Sequence, residues 1–445
     1  MNEIAFSSLI INTISALLCV FSGLHAYRKN NLTALIYWGV FIFLVVGQAI
    51  HISIGLLDNN EVQYLNNIIN REGHLIASAS VLYIILMVIL LNAVSPTTVI
   101  AHLTASNSKN CKLKLTNKYS TIYYIVNWIL FFVLFALLIT LVGGVDVWLS
   151  SGRPGAPGAT FFIIGLGLVM YPLLIKLASK FPVNLNDKLL FTMATIVVLS
   201  FSRILAVFYV LLLLFVCIYS GALKGKKILL KKYKWTIIGM GFLIFILVFG
   251  FGSYRHITSI IGTTSPSAVF DYIVKNPEAS LFSLDLNYRI SVEGMTGLSG
   301  VLSEFLVNEK LRADFGLSGW LGGLIQLIPS YFRKYLGDFP NYVHSFYYYQ
   351  NSIVGGGLEG FFVHFSFFGL LIYPFIFFWF AYGIHKKLIN SAGSTSHINR
   401  KLLRLVILAV FGLLIIRGST VVLIAFMVSE LIIMNISIVF FKLFH

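Results

Sequence analysis

The chain has 445 residues, of which 58% are hydrophobic and only 11% charged, and its formal net charge is +16. A water-soluble chain of this length would hold roughly 25% charged residues and divide into two or three domains, so the composition excludes an ordinary soluble enzyme and selects an all-α polytopic membrane protein. The three cysteines, Cys19, Cys111 and Cys217, fall in apolar runs or a basic loop, which excludes an extracytoplasmic disulfide framework.

Apolar runs of about 20 residues match one membrane crossing. In chain order they cover residues 4–24, 33–56, 75–94, 121–142, 159–179, 235–252 and 361–384. The first has neither a basic leader nor a small-residue cleavage site, so it is expected to be retained as a span. Two longer runs, 189–223 and 405–441, exceed one crossing, and each is interrupted near its middle by an arginine, Arg203 or Arg417. Basic residues crowd 28–29, 109–118, 176–188, 224–234 and 386–404, with Lys442 near the end. These segments hold about 21 of the 32 lysines and arginines, and their only acid is Asp187. Such asymmetry marks the cytoplasmic side, which makes the positive charge an orientation signal and not a nucleic-acid footprint.

Both long runs begin and end with cytoplasmic charge, so each is expected to be a hairpin. Their tips fall at Ser200-Phe201-Ser202-Arg203 and at Arg417-Gly418-Ser419. A helix climbs about 22 Å from Lys188 to Arg203 and about 20 Å from Arg404 to Arg417, against a hydrocarbon core of about 30 Å. Both arginines are therefore expected below the outer surface. The reading gives about 11 transmembrane helices, with the N-terminus outside and the C-terminus in the cytoplasm. Residues 1–252 form an N-terminal bundle of eight spans, 253–360 one large outer loop, and 361–445 three further spans.

The outer loop carries four arginines, two histidines and most of the acidic residues. Within it, 265–275 and 291–310 read as helices. Residues 319–331 are apolar and glycine-rich, contain Trp320 and are followed by Arg333 and Lys334; too short to span, they read as a re-entrant or interfacial helix.

An arginine inside a span costs at least about 2.5–3.5 kcal/mol, and such residues characteristically face a cavity or a ligand path. Two hairpins that each aim an arginine at one leaflet favour a shared anionic ligand over simple snorkelling to the headgroups, and the planar guanidinium suits phosphate oxygens. A lipid-linked diphosphate at the outer leaflet fits. Arg255, beside His256, either clamps the same phosphates or anchors its helix at the interface. Arg289 and Glu293 lie four apart on a predicted helix, either as an intrahelical ion pair or with Glu293 orienting an arginine toward the ligand. Arg153 sits in a Pro/Gly loop that reads as a surface turn.

His344 is placed to take a proton from a sugar hydroxyl if within hydrogen-bond reach; a structural role is the alternative. Tyr347, Tyr348 and Tyr349 suit stacking on sugar faces or an interfacial aromatic belt. Glu359, at the mouth of the next span, reads as a base or as a partner for one of the arginines, and His364 as a core residue. The segment 221–227, Gly-Ala-Leu-Lys-Gly-Lys-Lys, lacks P-loop spacing, and no Cys/His cluster has metal-ligand spacing, so no nucleotide, metal or other cofactor is expected.

This pattern resembles the O-antigen polymerases (Wzy type) and the wider oligosaccharide repeat-unit polymerases of bacteria. Many spans with one large loop in the second half match the family's architecture. Ser202-Arg203 is similar to its Ser-Arg, and Arg417-Gly418-Ser419 to its late arginine. Residues 352–360, Ser-Ile-Val-Gly-Gly-Gly-Leu-Glu-Gly, followed by Phe368-Gly369-Leu370, resemble its glycine and glutamate approach to a span. His344-Ser345 is similar in placement to the His-Asn of the related O-antigen ligases, with serine where they have asparagine.

The resemblance implies a GT-C-like membrane glycosyltransferase of the bacterial inner membrane, with the loop and active face periplasmic and undecaprenyl diphosphate as carrier. It implies His344, Glu359 and Glu293 as catalytic residues and Arg203, Arg255, Arg289 and Arg417 as diphosphate ligands. Expected partners are lipid-linked oligosaccharides, the bilayer, a chain-length regulator and a flippase. The alternatives are a lipid-linked oligosaccharide flippase and a membrane acyltransferase that modifies polysaccharide.

Overall fold

Backbone amides and carbonyls in hydrocarbon must be satisfied within the protein, which leaves helices as the natural element for so apolar a chain. The computed structural model describes residues 2–28, 32–57, 71–94, 117–150, 159–179, 181–220, 254, 257–258, 260–276, 302, 357–390, 398–416 and 420–444. Among them there is no strand. The helices are α1 Asn2–Arg28, α2 Leu32–Leu57, α3 Arg71–Val94, α4 Asn117–Val142, α5 Val145–Ser150, α6 Ala159–Gly165, α7 Gly167–Ser179, α8 Leu185–Phe201, α9 Arg203–Ser220, α10 Pro266–Lys275, α11 Gly357–Asn390, α12 Ile398–Ile416 and α13 Thr420–Phe444. Six stretches among the described residues are long and apolar enough to cross a membrane: Glu3–Arg28, Gly73–Ala93, Thr121–Val142, Phe162–Ser179, Phe367–His385 and Phe426–Leu443.

These helices are apolar on their exposed faces as well as in the core, unlike a soluble bundle, and some of their few polar residues are turned inward. On α1, Phe6, Ile10, Ile14, Leu17, Phe21 and Leu24 form an exposed stripe at helical spacing, while Ser8, Asn12 and Ser15 are fully buried. On α13, Val428, Ile432, Ile436 and Val439 are exposed, while Glu430 and Ser437 are buried. Lipid tails are as apolar as leucine, so burying leucine gains little, and packing and hydrogen bonds between small and polar residues hold the helices together. The chain is a membrane protein.

It forms two compact units. The first comprises Met1–Ala101, Asn287–Lys386 and Val410–Met427. Here α1 packs along α2 and α3, and the Asn12 amide donates to Ser78 Oγ across 3.0 Å. Phe377 of α11 meets Tyr37 and Phe41 of α2 edge-on, with centroids 5.3 and 5.9 Å apart. Phe380 stacks on Phe411 of α12 at 5.5 Å.

The second unit comprises His102–Leu286, Lys387–Ala409 and Val428–His445. Its α4 stops at Gly143, where φ is +97°: Gly143 N–H donates to Thr140 O and Gly144 N–H to Ile139 O, a Schellman closure that glycine alone adopts without strain. The single helix expected over 159–179 is instead two, α6 and α7, parted by a turn at Leu166. Pro172 inside α7 supplies no amide for the carbonyl four residues earlier, so the ladder is already weakened next to that break.

The first expected hairpin forms, and the two ends of the second expected hairpin lie together. Lys176 near the foot of α7 meets Asp187 near the foot of α8, and α8 climbs about 25 Å to Phe201. Ser202 then leaves the helix with φ −146° and ψ 102°, and α9 starts at Arg203. Continued in the same direction, Tyr209 would lie about 36 Å from the start of α8. Instead its hydroxyl reaches Glu430 together with that of Tyr171, about 12 Å above the foot of α7, so α9 folds back. In the second hairpin Lys401 Nζ donates to Ala178 O, and Phe441 packs on Phe181 at 5.7 Å. As one straight helix those two positions would be about 60 Å apart, so the chain doubles back between Lys401 and Phe441; the expected tip at Arg417-Gly418-Ser419 lies outside the described residues.

Of the loop, the helix expected over 265–275 is present as α10, with Ser265 at its N-cap and Pro266 in its first turn. The expectations for 235–252 and 319–331 lie outside the described residues, as does that for 291–310 apart from Leu302.

The Tyr209 side chain of α9 lies directly over Gly167 of α7: a Cβ there would strike its hydroxyl and lie 3.2 Å from Ile433 Cγ2. Because that hydroxyl is held by Glu430, it has no free direction in which to yield. Gly167→Ala is expected to destabilise the protein by about 1–3 kcal/mol, read as a lowered Tm of detergent-purified protein, while Gly39→Ala, which meets nothing within 4 Å, leaves it unchanged.

Candidate functional site

Within the second unit two polar clusters are enclosed among apolar helices. The first lies at the foot of α7. Lys176 Nζ donates to Asp187 Oδ1 at 2.8 Å, to Oδ2 at 3.0 Å and to the Tyr124 hydroxyl at 2.7 Å. It also stands 4.7 Å from the Tyr124 ring centroid and 5.5 Å from that of Tyr123. Tyr124 in turn donates to Asp187 Oδ2 at 3.2 Å, and the Asn184 amide side chain donates to Tyr124 at 3.0 Å. The sequence builds this locally. Asp187 is the third residue of α8, so its carboxylate accepts the Asn184 backbone N–H and lies at the positive end of the helix dipole. Every donor on the ammonium has a partner, which is what makes a buried ion pair tolerable.

Lys176 thus differs from the solvated loop charge that the sequence suggests: its side chain is 4% exposed and that of Asp187 1%. Lys401, counted with the same basic segments, is also buried and donates to Ala178 O. Both lysines close helix ends inside the bundle.

The second cluster is centred on Glu430, fully buried within the apolar segment Phe426–Leu443. Tyr209 of α9 donates to its Oε1 at 2.8 Å, and Tyr171 of α7 donates to its Oε2 at 2.9 Å. Three helices therefore meet at one carboxyl group. Charge and hydropathy patterning do not single out this site, although the sequence carries a signal: Glu430 is the only acidic residue after Glu359 and stands in an apolar run. An ionisable residue at such a position marks a functional or architectural site.

Of the seven residues expected to carry chemistry, the structure describes the backbone of two. Arg203 is the first residue of α9, at the tip of the first hairpin. That tip is clasped by α5: Trp148 Nε1 donates to Ser200 Oγ at 3.0 Å and its ring stacks on Phe201 at 5.9 Å. Glu359 is the third residue of α11, in the first turn, where exposed amides favour a carboxylate. Arg255, Arg289, Arg417, Glu293 and His344 lie outside the described residues, so no geometry joins the seven. Among the described residues no group of three His, Cys, Asp or Glu is placed to hold a metal ion.

Removing one partner of the buried pair leaves an uncompensated charge. Lys176→Ala or Asp187→Ala is expected to cost about 3–5 kcal/mol, seen as loss of folded protein from the membrane. The double variant Lys176→Met with Asp187→Leu is expected to recover most of that loss; equal damage in all three would show that the pair is not coupled. No protein-family model, no curated protein and no solved structure matches this chain.

Proposed function

We propose that the protein is a polysaccharide polymerase of the O-antigen type, a membrane-embedded glycosyltransferase with about 11 spans and a GT-C-like arrangement, working at the periplasmic face of a bacterial inner membrane. It transfers an undecaprenyl-diphosphate-linked glycan chain onto a new lipid-linked repeat unit. The observation that carries the reading is the tip of the first hairpin, where the helix breaks at Ser202 and restarts at Arg203.

An arginine at that position is disfavoured twice. Its helix climbs about 25 Å, less than the hydrocarbon thickness of about 30 Å, and the first turn of α9 presents the positive end of its dipole. An anion at the tip offsets both costs, and a diphosphate offers guanidinium groups the bidentate oxygens they fit best. Arg417, which follows Ile416 of α12 in sequence, stands at the corresponding point of the second expected hairpin.

In the proposed reaction the acceptor hydroxyl gives its proton to His344 or Glu359, and its oxygen forms the new bond to the anomeric carbon. The bond from that carbon to the diphosphate breaks, and the electron pair leaves on undecaprenyl diphosphate. Arg203, Arg255, Arg289 and Arg417 stabilise the charge that develops on this leaving group, a contribution worth a few kcal/mol per donor in enzymes of this kind. Glu293, four residues from Arg289, orients it. The sugar–diphosphate bond itself drives the transfer.

Deleting the gene and separating the surface polysaccharide by size tests the reading. A polymerase mutant keeps core plus one repeat unit and loses the ladder. Loss of even the single unit would indicate a flippase, and an intact ladder would sink the proposal. Arg203→Ala and Arg289→Ala are each expected to abolish the ladder with the protein still in the membrane, whereas near-normal chain length in both would show the diphosphate assignment to be wrong.

A further inference from the structure

We infer that Glu430 is a positioning residue: through Tyr209 and Tyr171 it sets the axial register of α9 against α7, and with it the depth in the membrane at which Arg203 stands. The inference rests on the role proposed above for Arg203.

Sliding one apolar helix past another in lipid changes little, because each leucine exchanges one hydrocarbon neighbour for another. Register between membrane helices therefore depends on directional contacts. Between α7 and α9 those contacts gather at one place. Both tyrosine hydroxyls end on the same carboxyl group, one per oxygen, at 2.8 and 2.9 Å. Gly167, one turn before Tyr171, leaves the space that the Tyr209 hydroxyl occupies, and a Cβ there would meet it. The rings of Tyr171 and Tyr209 pack edge to face at 6.3 Å. A slip of α9 by one turn, about 5.4 Å, would carry its hydroxyl out of reach of Glu430 and leave buried polar groups without partners.

Arg203 lies six residues before Tyr209 on the same helix, about 9 Å along its axis. Over that distance a helix behaves as a rod, so a displacement at Tyr209 reappears at Arg203. Trp148 holds the other side of the tip through Ser200 and Phe201. The tip is thus fixed twice, by Trp148 beside it and by Glu430 below it.

The test reads position and activity separately. In the full chain with Cys19, Cys111 and Cys217 replaced by alanine, Ser202→Cys serves as a reporter beside Arg203. Its reaction rate with a water-soluble maleimide is measured in broken membranes, where both faces are open. Glu430→Ala and Tyr209→Phe are each expected to change the rate about tenfold, while Glu430→Gln, which keeps one acceptor and supplies one donor, stays within about twofold of the parent. Parent-like rates in Glu430→Ala and Tyr209→Phe would overturn the inference, as would a Glu430→Gln rate equal to that of Glu430→Ala. Should Glu430→Ala fail to accumulate, Tyr209→Phe decides, because it keeps the ring and removes only the hydrogen bond.

The polysaccharide ladder of the same variants, made without the reporter and cysteine changes, gives the second reading. Chains shortened in Glu430→Ala and Tyr209→Phe but not in Glu430→Gln support the inference in full. A changed labelling rate with an unchanged ladder would overturn the role given to Arg203 while the register clamp stands.

Discussion

The second unit depends on polar groups that the membrane cannot solvate and the protein must therefore satisfy itself. Lys176 and Asp187 join the feet of α7 and α8 through a pair in which the ammonium bonds both carboxylate oxygens and the Tyr124 hydroxyl. Glu430 does the same at mid-height for α7, α9 and α13. Hydrocarbon-facing surfaces hold helices in a bundle but discriminate poorly among registers, whereas an unsatisfied buried donor or acceptor is costly. A few such contacts therefore select one packing from many.

This logic also accounts for the small residues. Gly167 carries no side chain because the Tyr209 hydroxyl needs the space, and Ser78 accepts from Asn12 where α1 and α3 meet. The aromatic residues play a complementary part. Tyr37, Phe41, Phe377, Phe380 and Phe411 fill the seams of the first unit with edge and stacked contacts, gaining dispersion energy.

The proposed chemistry has a matching physical form. An arginine at a hairpin tip within the membrane is an unfavourable feature in the absence of an anion, and a lipid-linked diphosphate is an anion delivered at that depth. Binding energy then comes from relieving a cost built into the fold. Such a site is effective only if the tip is held rigidly, which is the part that Trp148 and Glu430 would play in it.

Much of the architecture was legible in sequence because membrane insertion reads linear properties: length of apolar runs, and charge at their ends. The break between α8 and α9 at Ser202 and α10 behind Ser265 both follow from such local features. The candidate site was less legible. Arg203 and Glu359 stand at the helix starts that the patterns suggest, but their chemistry is inferred from residue type and order. What tertiary structure decided is which polar residues meet. Lys176 was indistinguishable from a loop lysine until Asp187 and Tyr124 closed around it, and Glu430 acquired partners only when residues 171, 209 and 430 were brought to one point. Hydropathy is a property of a segment, whereas a buried hydrogen bond between residues more than two hundred positions apart exists only in the folded chain.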